Sequence, residues 1–210
     1  MKNNISNEER IKRLKLNCSL LADGKVKYFH NGHTYVEIGG LKWATMNVGA
    51  TSETDYGLYF QWGDTQGYTA SEVGSGEGQK TFKSADYKWT EDDAVRANWG
   101  GDWRMPTREE FLQLNQAVNK EWVTNYNGSG NNGFLCTDKN DSSKKLFFPA
   151  AGFCGDGSVK SVGNLGYVWS GSLFTNNVNG AWSFGFYNKC ISWDYATSRY
   201  YGFSVRGVAS

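Results

Sequence analysis

The sequence predicts an α+β fold in which many short strands accompany two main helices. The chain of 210 residues contains 26 glycines and only 2 prolines, and its short apolar runs are typical of short strands joined by tight turns. Aromatic residues make up 16% of the chain, so an apolar fraction of 39% still supplies a sizeable core. Helical patterns are few and do not alternate with strands, which argues against a doubly wound sheet. The length fits one large domain, or a domain with an appendage.

The first helical pattern lies near the N-terminus. Ser6 and Glu9 have the spacing of a capping box, and apolar residues follow at helical spacing, so we predict a short helix over residues 7–16. A β-hairpin is predicted next, because Asn31-Gly32 separates two runs that are rich in β-branched and aromatic residues. Residues 1–32 are therefore expected to form a helical extension and the start of the hairpin.

The second helical pattern begins after Thr107, which is a suitable N-cap. Glu109-Glu110 falls in the first turn, where the helix macrodipole favours acidic residues. Phe111, Leu114 and Val118 follow at helical spacing, so this helix is expected to pack on the core.

Short strands are predicted for much of the remaining chain. Residues 92–98 are predicted to form one or two helical turns, and residues 41–48 a strand. Later strands are predicted in the segments GFLCT, KLFFPAAGF, GYVWSGSL, AWSFGFYN and YGFSVRGV. Residues 193–201 place large rings among small and polar residues, and we interpret them as irregular chain.

Charge and hydropathy exclude several classes of partner. The net charge of +1 provides no attraction to nucleic acid or to an anionic membrane, and no stretch approaches the roughly 18 apolar residues of a membrane-spanning helix. We therefore expect no nucleic-acid partner and no membrane insertion. The segment MKNNISNEERIKRLK lacks the apolar region of a secretory signal. Without such a signal, the four cysteines are expected to be reduced, with a single disulfide as the alternative.

Motifs for catalysis are largely absent. The chain has no G-x-G-x-x-G that opens a helix, no P-loop and no G-x-S-x-G. His30 and His33 flank the hairpin turn without a third ligand nearby, and we interpret them as exposed polar residues. Asp92-Asp93 and Glu109-Glu110 are adjacent carboxylates that point apart on a helix, so they suit helix caps better than acid–base chemistry. We predict that the protein is not an enzyme and has no catalytic residue, metal or cofactor.

The order of several motifs nevertheless resembles a known family. The segments are GLKWATMNVGA (40–50), DYGLYFQWGD (55–64), GGDWRMPTREEF (100–111), LFFPAAGF (146–153), GYVWSGS (166–172) and YGFSVRGV (201–208). Together they are similar to the Fibrobacter succinogenes major paralogous domain, over roughly residues 33 to 208. Met46 departs from the cysteine that is usual at its position. The resemblance implies a C-type-lectin-like fold for residues 33–210, of the branch that includes formylglycine-generating enzyme.

Within that fold, the C-terminal part resembles the variable proteins of diversity-generating retroelements. Their C-terminal segment is rewritten by reverse transcription that mutates at adenines, so Asn codons become Tyr, Ser, Asp, Thr or Gly codons but not Trp codons. In residues 181–187 three aromatic residues alternate with residue types that such mutagenesis can produce. The resemblance therefore implies a variable region over residues 165–201. Its predicted ligand-binding positions are Phe174, Gly180, Ser183, Gly185, Tyr187, Cys190, Asp194, Tyr195, Ala196, Thr197, Tyr200 and Tyr201.

The function implied is ligand binding through an exposed C-terminal surface. Tyrosine offers a large amphipathic contact with few rotatable bonds, as it does in antibody paratopes. Six side chains are expected on one exposed face: Tyr187, Asp194, Tyr195, Thr197, Tyr200 and Tyr201. Five buried rings are expected to hold that face from behind: Trp169, Trp182, Phe184, Phe186 and Phe203.

The expected partner is a protein or glycan on a cell surface. The family is common in gut Bacteroidetes and their phages, so display on a phage virion or on a bacterial surface is expected, by a route that does not use a signal peptide in this chain. The sequence assigns no oligomeric state. The alternatives are an ordinary lectin-like domain without diversification, a structural domain whose aromatic face is covered in an assembly and, more remotely, an oxidase of the formylglycine-generating type.

Overall fold

The computed structural model describes residues 18–20, 26–188 and 190–210, and it has a mixed α+β architecture, as predicted. The strands are β1 (Cys18–Leu20), β2 (Val26–His30), β3 (His33–Ile38), β4 (Leu41–Asn47), β5 (Val118–Val123), β6 (Gly133–Asp138), β7 (Lys145–Pro149), β8 (Phe153–Gly155), β9 (Ser158–Lys160), β10 (Leu165–Leu173), β11 (Gly180–Tyr187), β12 (Cys190–Ser198) and β13 (Ser204–Ala209). Eight of them form one open sheet in the order β1-β2-β3-β4-β13-β10-β11-β12. The strands β5, β6 and β7 form a second sheet, and β8 pairs with β9.

In the described part of the chain two α-helices accompany these sheets, α1 (Ala94–Trp99) and α2 (Arg108–Ala117). The carboxylate of Asp93 caps α1 by accepting a hydrogen bond from the backbone N–H of Arg96. A capping box between Thr107 and Glu110 starts α2, since each side chain accepts from the other residue's backbone N–H. Three short 3₁₀ helices span Ala70–Glu72, Ser84–Asp86 and Tyr126–Gly128. Both helical segments that these cap signals predict are therefore present.

The hairpin turn between β2 and β3 is also confirmed. Asn31 and Gly32 have φ angles of 44° and 83°, and a type I′ turn requires positive φ at both central residues.

Aromatic side chains fill the core on both faces of the large sheet. On one face, Phe111 of α2 packs with Phe184 and Phe186 of β11 and with Phe134 and Phe148 of the three-stranded sheet. The opposite face carries a second cluster, which includes Phe60, Trp62, Trp103, Trp169 and Phe203. Each such ring buries roughly 150–250 Å², so these clusters supply the area that the modest apolar fraction requires.

The C-terminal strand β13 lies in the middle of the large sheet. It pairs antiparallel with β4, where Arg206 faces Asn47, and parallel with β10, where Val205 faces Trp169. The strand therefore joins the N-terminal hairpin region to the β10–β12 region in one sheet.

Arg206 lies at this junction and is completely buried. Its Nε donates to Asn47 Oδ1 at 2.9 Å, its Nη1 to the carbonyl of Ala44 at 2.9 Å and its Nη2 to the carbonyl of Phe147 at 3.1 Å. These three acceptors are all neutral oxygens, and the guanidinium lies over the ring of Phe148 at 4.8 Å. Burial lowers the pKa of Arg206 to about 9, which leaves the group charged at neutral pH.

The prediction of irregular chain over residues 193–201 is wrong, because residues 190–198 form β12. A bulge hides the strand in the sequence: Ser183 pairs with Tyr195, whereas Gly185, two residues later, pairs with Ser192. The extra residue on β12 breaks the alternation of polar and apolar side chains that normally reveals a strand.

Three other local predictions have different outcomes. The helix α2 ends at Ala117, and Val118 instead begins β5, although its side chain is buried as predicted.

The prediction that His30 and His33 are exposed is wrong. The His30 ring lies 2.7 Å from Asp102 Oδ1, and His33 stacks on Trp99 at 3.9 Å.

The helix predicted over residues 7–16 lies outside the described residues. Of the part that is described, no helix combines the length and the apolar character needed to cross a membrane.

The substitution Arg206→Lys is expected to lower the free energy of unfolding by roughly 3–5 kcal/mol, because an ammonium group cannot reach all three acceptors and leaves buried carbonyls unpaired. Urea unfolding followed by circular dichroism measures the change. Arg96→Lys on the exposed side of α1 is the matched control and should change stability by no more than about 0.5 kcal/mol. Equal effects of the two substitutions would contradict the role given to Arg206.

Candidate ligand-binding surface

The three strands β10, β11 and β12 have two faces with different surroundings. Cross-strand partners share a face, so the register assigns each side chain to one of them. Phe184 and Trp193 contact each other on the face that carries α2, with their rings stacked 4.3 Å apart. On the opposite face, Gly185 pairs with Tyr167, and Ser183 pairs with Tyr195.

That opposite face carries a series of tyrosines. We call the side chains of Tyr167, Tyr187, Tyr195, Thr197 and Tyr201 the tyrosine face. Three of its rings are connected: Tyr167 lies 5.6 Å from Tyr195, and the neighbouring ring of Phe153 in β8 lies 6.1 Å from Tyr167 and 5.8 Å from Tyr201.

Exposure increases along this face towards the edge of the sheet. Near β13 the face is covered, and Phe203 is buried with its ring stacked on Tyr167 at 4.6 Å and on Trp169 at 4.2 Å. Towards β12 the cover ends, and Tyr187 and Tyr195 are 48% and 44% exposed. Tyr195 therefore rests on an aromatic layer that begins with Tyr167.

Four of the five rings predicted to support the surface are buried, and they support it from two sides. Phe184 and Phe186 fill the core on the α2 side, while Trp169 and Phe203 lie beneath Tyr167. Trp182 is half-buried, and the guanidinium of an arginine in α2 lies over its ring at 4.5 Å.

Three predicted ligand-binding positions are buried, which corrects their assignment. Gly180 and Gly185 are buried, and Ser183 is 1% exposed, with its hydroxyl donating to the carbonyl of Tyr195 at 2.9 Å. A Cβ at Gly185 would lie 2.7 Å from the ring of Tyr167. Ser183 and Gly185 do share the sheet face that alternation predicts, but a neighbouring tyrosine ring covers them.

Three further predicted positions lie on the α2 side instead. Asp194 forms an ion pair with Arg108, at 2.8 Å between Oδ2 and Nη2. Ala196 pairs with Trp182, and the ring of Phe174 meets Trp182 edge-on at 4.9 Å. The prediction that six side chains share one exposed face is therefore wrong for Asp194, because the β12 bulge turns it towards the helix.

The remaining predicted positions lie on or beside the tyrosine face. Cys190 pairs with Tyr187 and is an exposed free thiol. Tyr200 packs against Tyr201, with ring centroids 4.5 Å apart. A side-chain hydrogen bond with Tyr200, together with partial burial, raises the pKa of Tyr201 to about 12. The Tyr201 phenol is therefore neutral at physiological pH, with its hydroxyl engaged by Tyr200.

Two parts of the surface were not predicted from the sequence. Tyr167 and Phe153 extend the tyrosine face, and the alternation of apolar residues in β10 was the signal for Tyr167. A groove of about 460 Å³ lies at the end of β12, lined by Ser84, Tyr87, Trp89, Asn177, Asn179, Ser198 and Tyr200. Nothing in the local sequence around Trp89 indicates that it meets the distant residues Asn177 and Asn179.

Comparisons with protein-family models, with curated proteins and with solved structures gave no significant match. The interpretation of the surface therefore rests on its own geometry and chemistry.

The substitution Gly185→Ala is expected to destabilise the protein by roughly 1–3 kcal/mol, because the new methyl group must displace the Tyr167 ring. Gly171→Ala in the neighbouring strand is the control, since its Cβ would meet no atom closer than 3.5 Å. Thermal unfolding of the two variants measures the difference. A Gly185→Ala protein as stable as the control would show that the covered part of this face tolerates replacement.

Proposed function

We propose that this protein binds a protein or glycan on a cell surface through the tyrosine face. The observation that carries the proposal is the arrangement of Tyr187 and Tyr195, which are nearly half exposed on strands whose opposite face is packed into the core. Large, rigid, amphipathic side chains on a fixed backbone lose little conformational entropy on binding.

We further propose that the scaffold is C-type-lectin-like. In support, the C-terminal strand β13 pairs with β4 of the N-terminal region in the middle of the sheet, so the two ends of the domain meet. The segments that carry the family resemblance also come together: Trp169, Phe203 and Val205 lie in one cluster with Trp103.

We also propose that a retroelement diversifies the sequence of this surface. The exposed positions on β11 and β12 are Tyr187, Cys190 and Tyr195, and adenine mutagenesis of Asn codons can produce both residue types. Trp193, which that mutagenesis cannot produce from Asn, is 6% exposed and packs on Phe184. The burial of Ser183 and Gly185 reduces the number of positions that could vary without loss of stability.

An ordinary lectin-like domain, which is the alternative, would bind its ligand through the same tyrosine face, but the sequence of that face would not be diversified.

The oxidase alternative is disfavoured by the state of the thiols. Burial raises the pKa of Cys136 and of Cys154, so neither is a ready thiolate nucleophile. Cys190 lies on β12, at the opposite end of the large sheet from the strands that carry His30 and His33.

Replacing both Tyr195 and Tyr201 by serine is expected to weaken binding to target cells by about tenfold or more, because two central aromatic contacts are lost. Flow cytometry of the fluorescently labelled protein, on a panel of gut bacterial isolates and epithelial cells, measures binding. Tyr28→Ser on β2 removes an equally exposed ring, 52% exposed, and should leave binding unchanged. Unchanged binding by the double variant would refute the role of the tyrosine face.

Sequencing the genomic locus tests diversification separately. The expected result is a near-repeat of codons 165–201 that differs only at adenines, beside a reverse-transcriptase gene. A locus without that repeat would leave the binding proposal in place and remove the retroelement from it.

A further inference from the structure

The groove at the end of β12 differs in chemistry from the tyrosine face. Its walls come from two separate segments, residues 84–89 and residues 177–179, and its end is closed by Ser198 and Tyr200. None of its lining side chains is charged, and none is aliphatic. Hydroxyls, amides and aromatic rings are the groups that it offers.

A buried arginine fixes the two walls relative to each other. Arg199 is 3% exposed, and its Nη1 donates to the carbonyl of Val178 at 3.1 Å, while its Nη2 donates to the carbonyl of Thr90 at 2.7 Å. Its Nε donates to the hydroxyl of Tyr87 at 2.8 Å. One guanidinium therefore holds both sides of the groove, and the groove exists before any ligand binds.

Trp89 provides an exposed ring at the rim of this groove. The side chain is 48% exposed, although its ring also contacts Tyr87 edge-on at 4.9 Å and lies 5.4 Å from the Arg199 guanidinium. Its φ angle is 56°, a conformation that is unfavourable for a bulky residue and that tends to occur at functional sites. The fold thus holds the Trp89 indole towards solvent although its backbone conformation is locally unfavourable.

The opposite wall provides unused hydrogen-bonding groups. The side-chain Oδ1 of Asn177 accepts from the backbone N–H of Asn179 at 3.0 Å. To the described residues, the side-chain Nδ2 of Asn177 and the whole side-chain amide of Asn179 make no hydrogen bond. Each amide can both donate and accept, so the pair can bind a ligand that carries adjacent hydroxyl groups.

We propose that this groove is a binding site for a neutral glycan. A sugar ring has an apolar C–H face that fits against the Trp89 indole and hydroxyl edges that fit the Asn177 and Asn179 amides. The volume of about 460 Å³ is within the usual range for small-ligand sites and suits a short oligosaccharide. No charged side chain lines the groove, and the Arg199 guanidinium behind it is paired with Glu91 at 3.7 Å, which favours an uncharged sugar over a sialylated or sulfated one.

An amphipathic helical peptide fits the groove less well. Such a helix needs a hydrophobic groove for its apolar side chains, and the lining residues include no aliphatic side chain. The inference rests on the proposed binding function and assigns the glycan to a second site, which adjoins the tyrosine face where Tyr200 packs on Tyr201.

The test is binding of the full chain to an array of immobilised neutral oligosaccharides, followed by titration of the best binder by isothermal calorimetry. Trp89→Gly, which suits the positive φ, and Asn179→Ala, which leaves the backbone acceptor for Arg199 in place, should each weaken binding by about tenfold. Tyr28→Ala is the control for loss of an exposed ring and should bind as the parent chain does. Saturation-transfer NMR should place the sugar's C–H face against an aromatic ring.

Several results would overturn the proposal. These are no binding to any neutral oligosaccharide, binding that both groove variants leave unchanged, or groove variants that lose binding to a protein or peptide only. Glycan binding that is lost in the Tyr195→Ser, Tyr201→Ser variant and kept in Trp89→Gly would also overturn it, while leaving the proposed function intact. If the double variant loses binding to cells and the parent chain binds no glycan, the glycan site is refuted and the proposed function stands.

Discussion

The buried guanidinium of Arg206 is the interaction on which the rest of the structure depends. It holds β13 between β4 and β10 and reaches across to β7 through the carbonyl of Phe147. Because its partners are neutral, the charge is stabilised by hydrogen bonds in a fixed fork geometry and not by a single carboxylate. Such an arrangement tolerates no alternative register of β13, so the central strand has one position.

A fixed central strand makes the outer strands useful as a display surface. β10 is held by parallel pairing with β13, β11 packs on α2 through Phe184, and β12 pairs with β11 at the edge of the sheet. Side chains on the open side of β12 contribute little to this framework, which is the property that a replaceable binding surface requires. Arg199, seven positions before Arg206, similarly fixes the groove, because its guanidinium binds two segments that are distant in the chain.

Much of the fold could be predicted from local sequence because its signals are local. The capping box at Thr107, the turn at Asn31-Gly32 and the alternation around Phe184 depend only on neighbouring residues.

The remaining features depend on residues that are far apart in the chain. The ring that covers Gly185 comes from Tyr167 on the next strand, and the groove requires Arg199 to meet Tyr87, 112 positions away. The bulge on β12, which turns Asp194 towards α2, is set by pairing with β11 and has no local signature. Local pattern therefore predicted which segments form the surface, but not which of their side chains are open to a ligand.

The central claim is that the open side of β11 and β12 can change while the framework stays folded. Saturation mutagenesis of residues 180–201, with protease resistance of the displayed protein as the readout, tests it most directly. We predict that most substitutions at Tyr187, Tyr195 and Thr197 remain folded, whereas most substitutions at Phe184, Trp193 and Arg199 do not. Equal tolerance at the two sets of positions would contradict the claim.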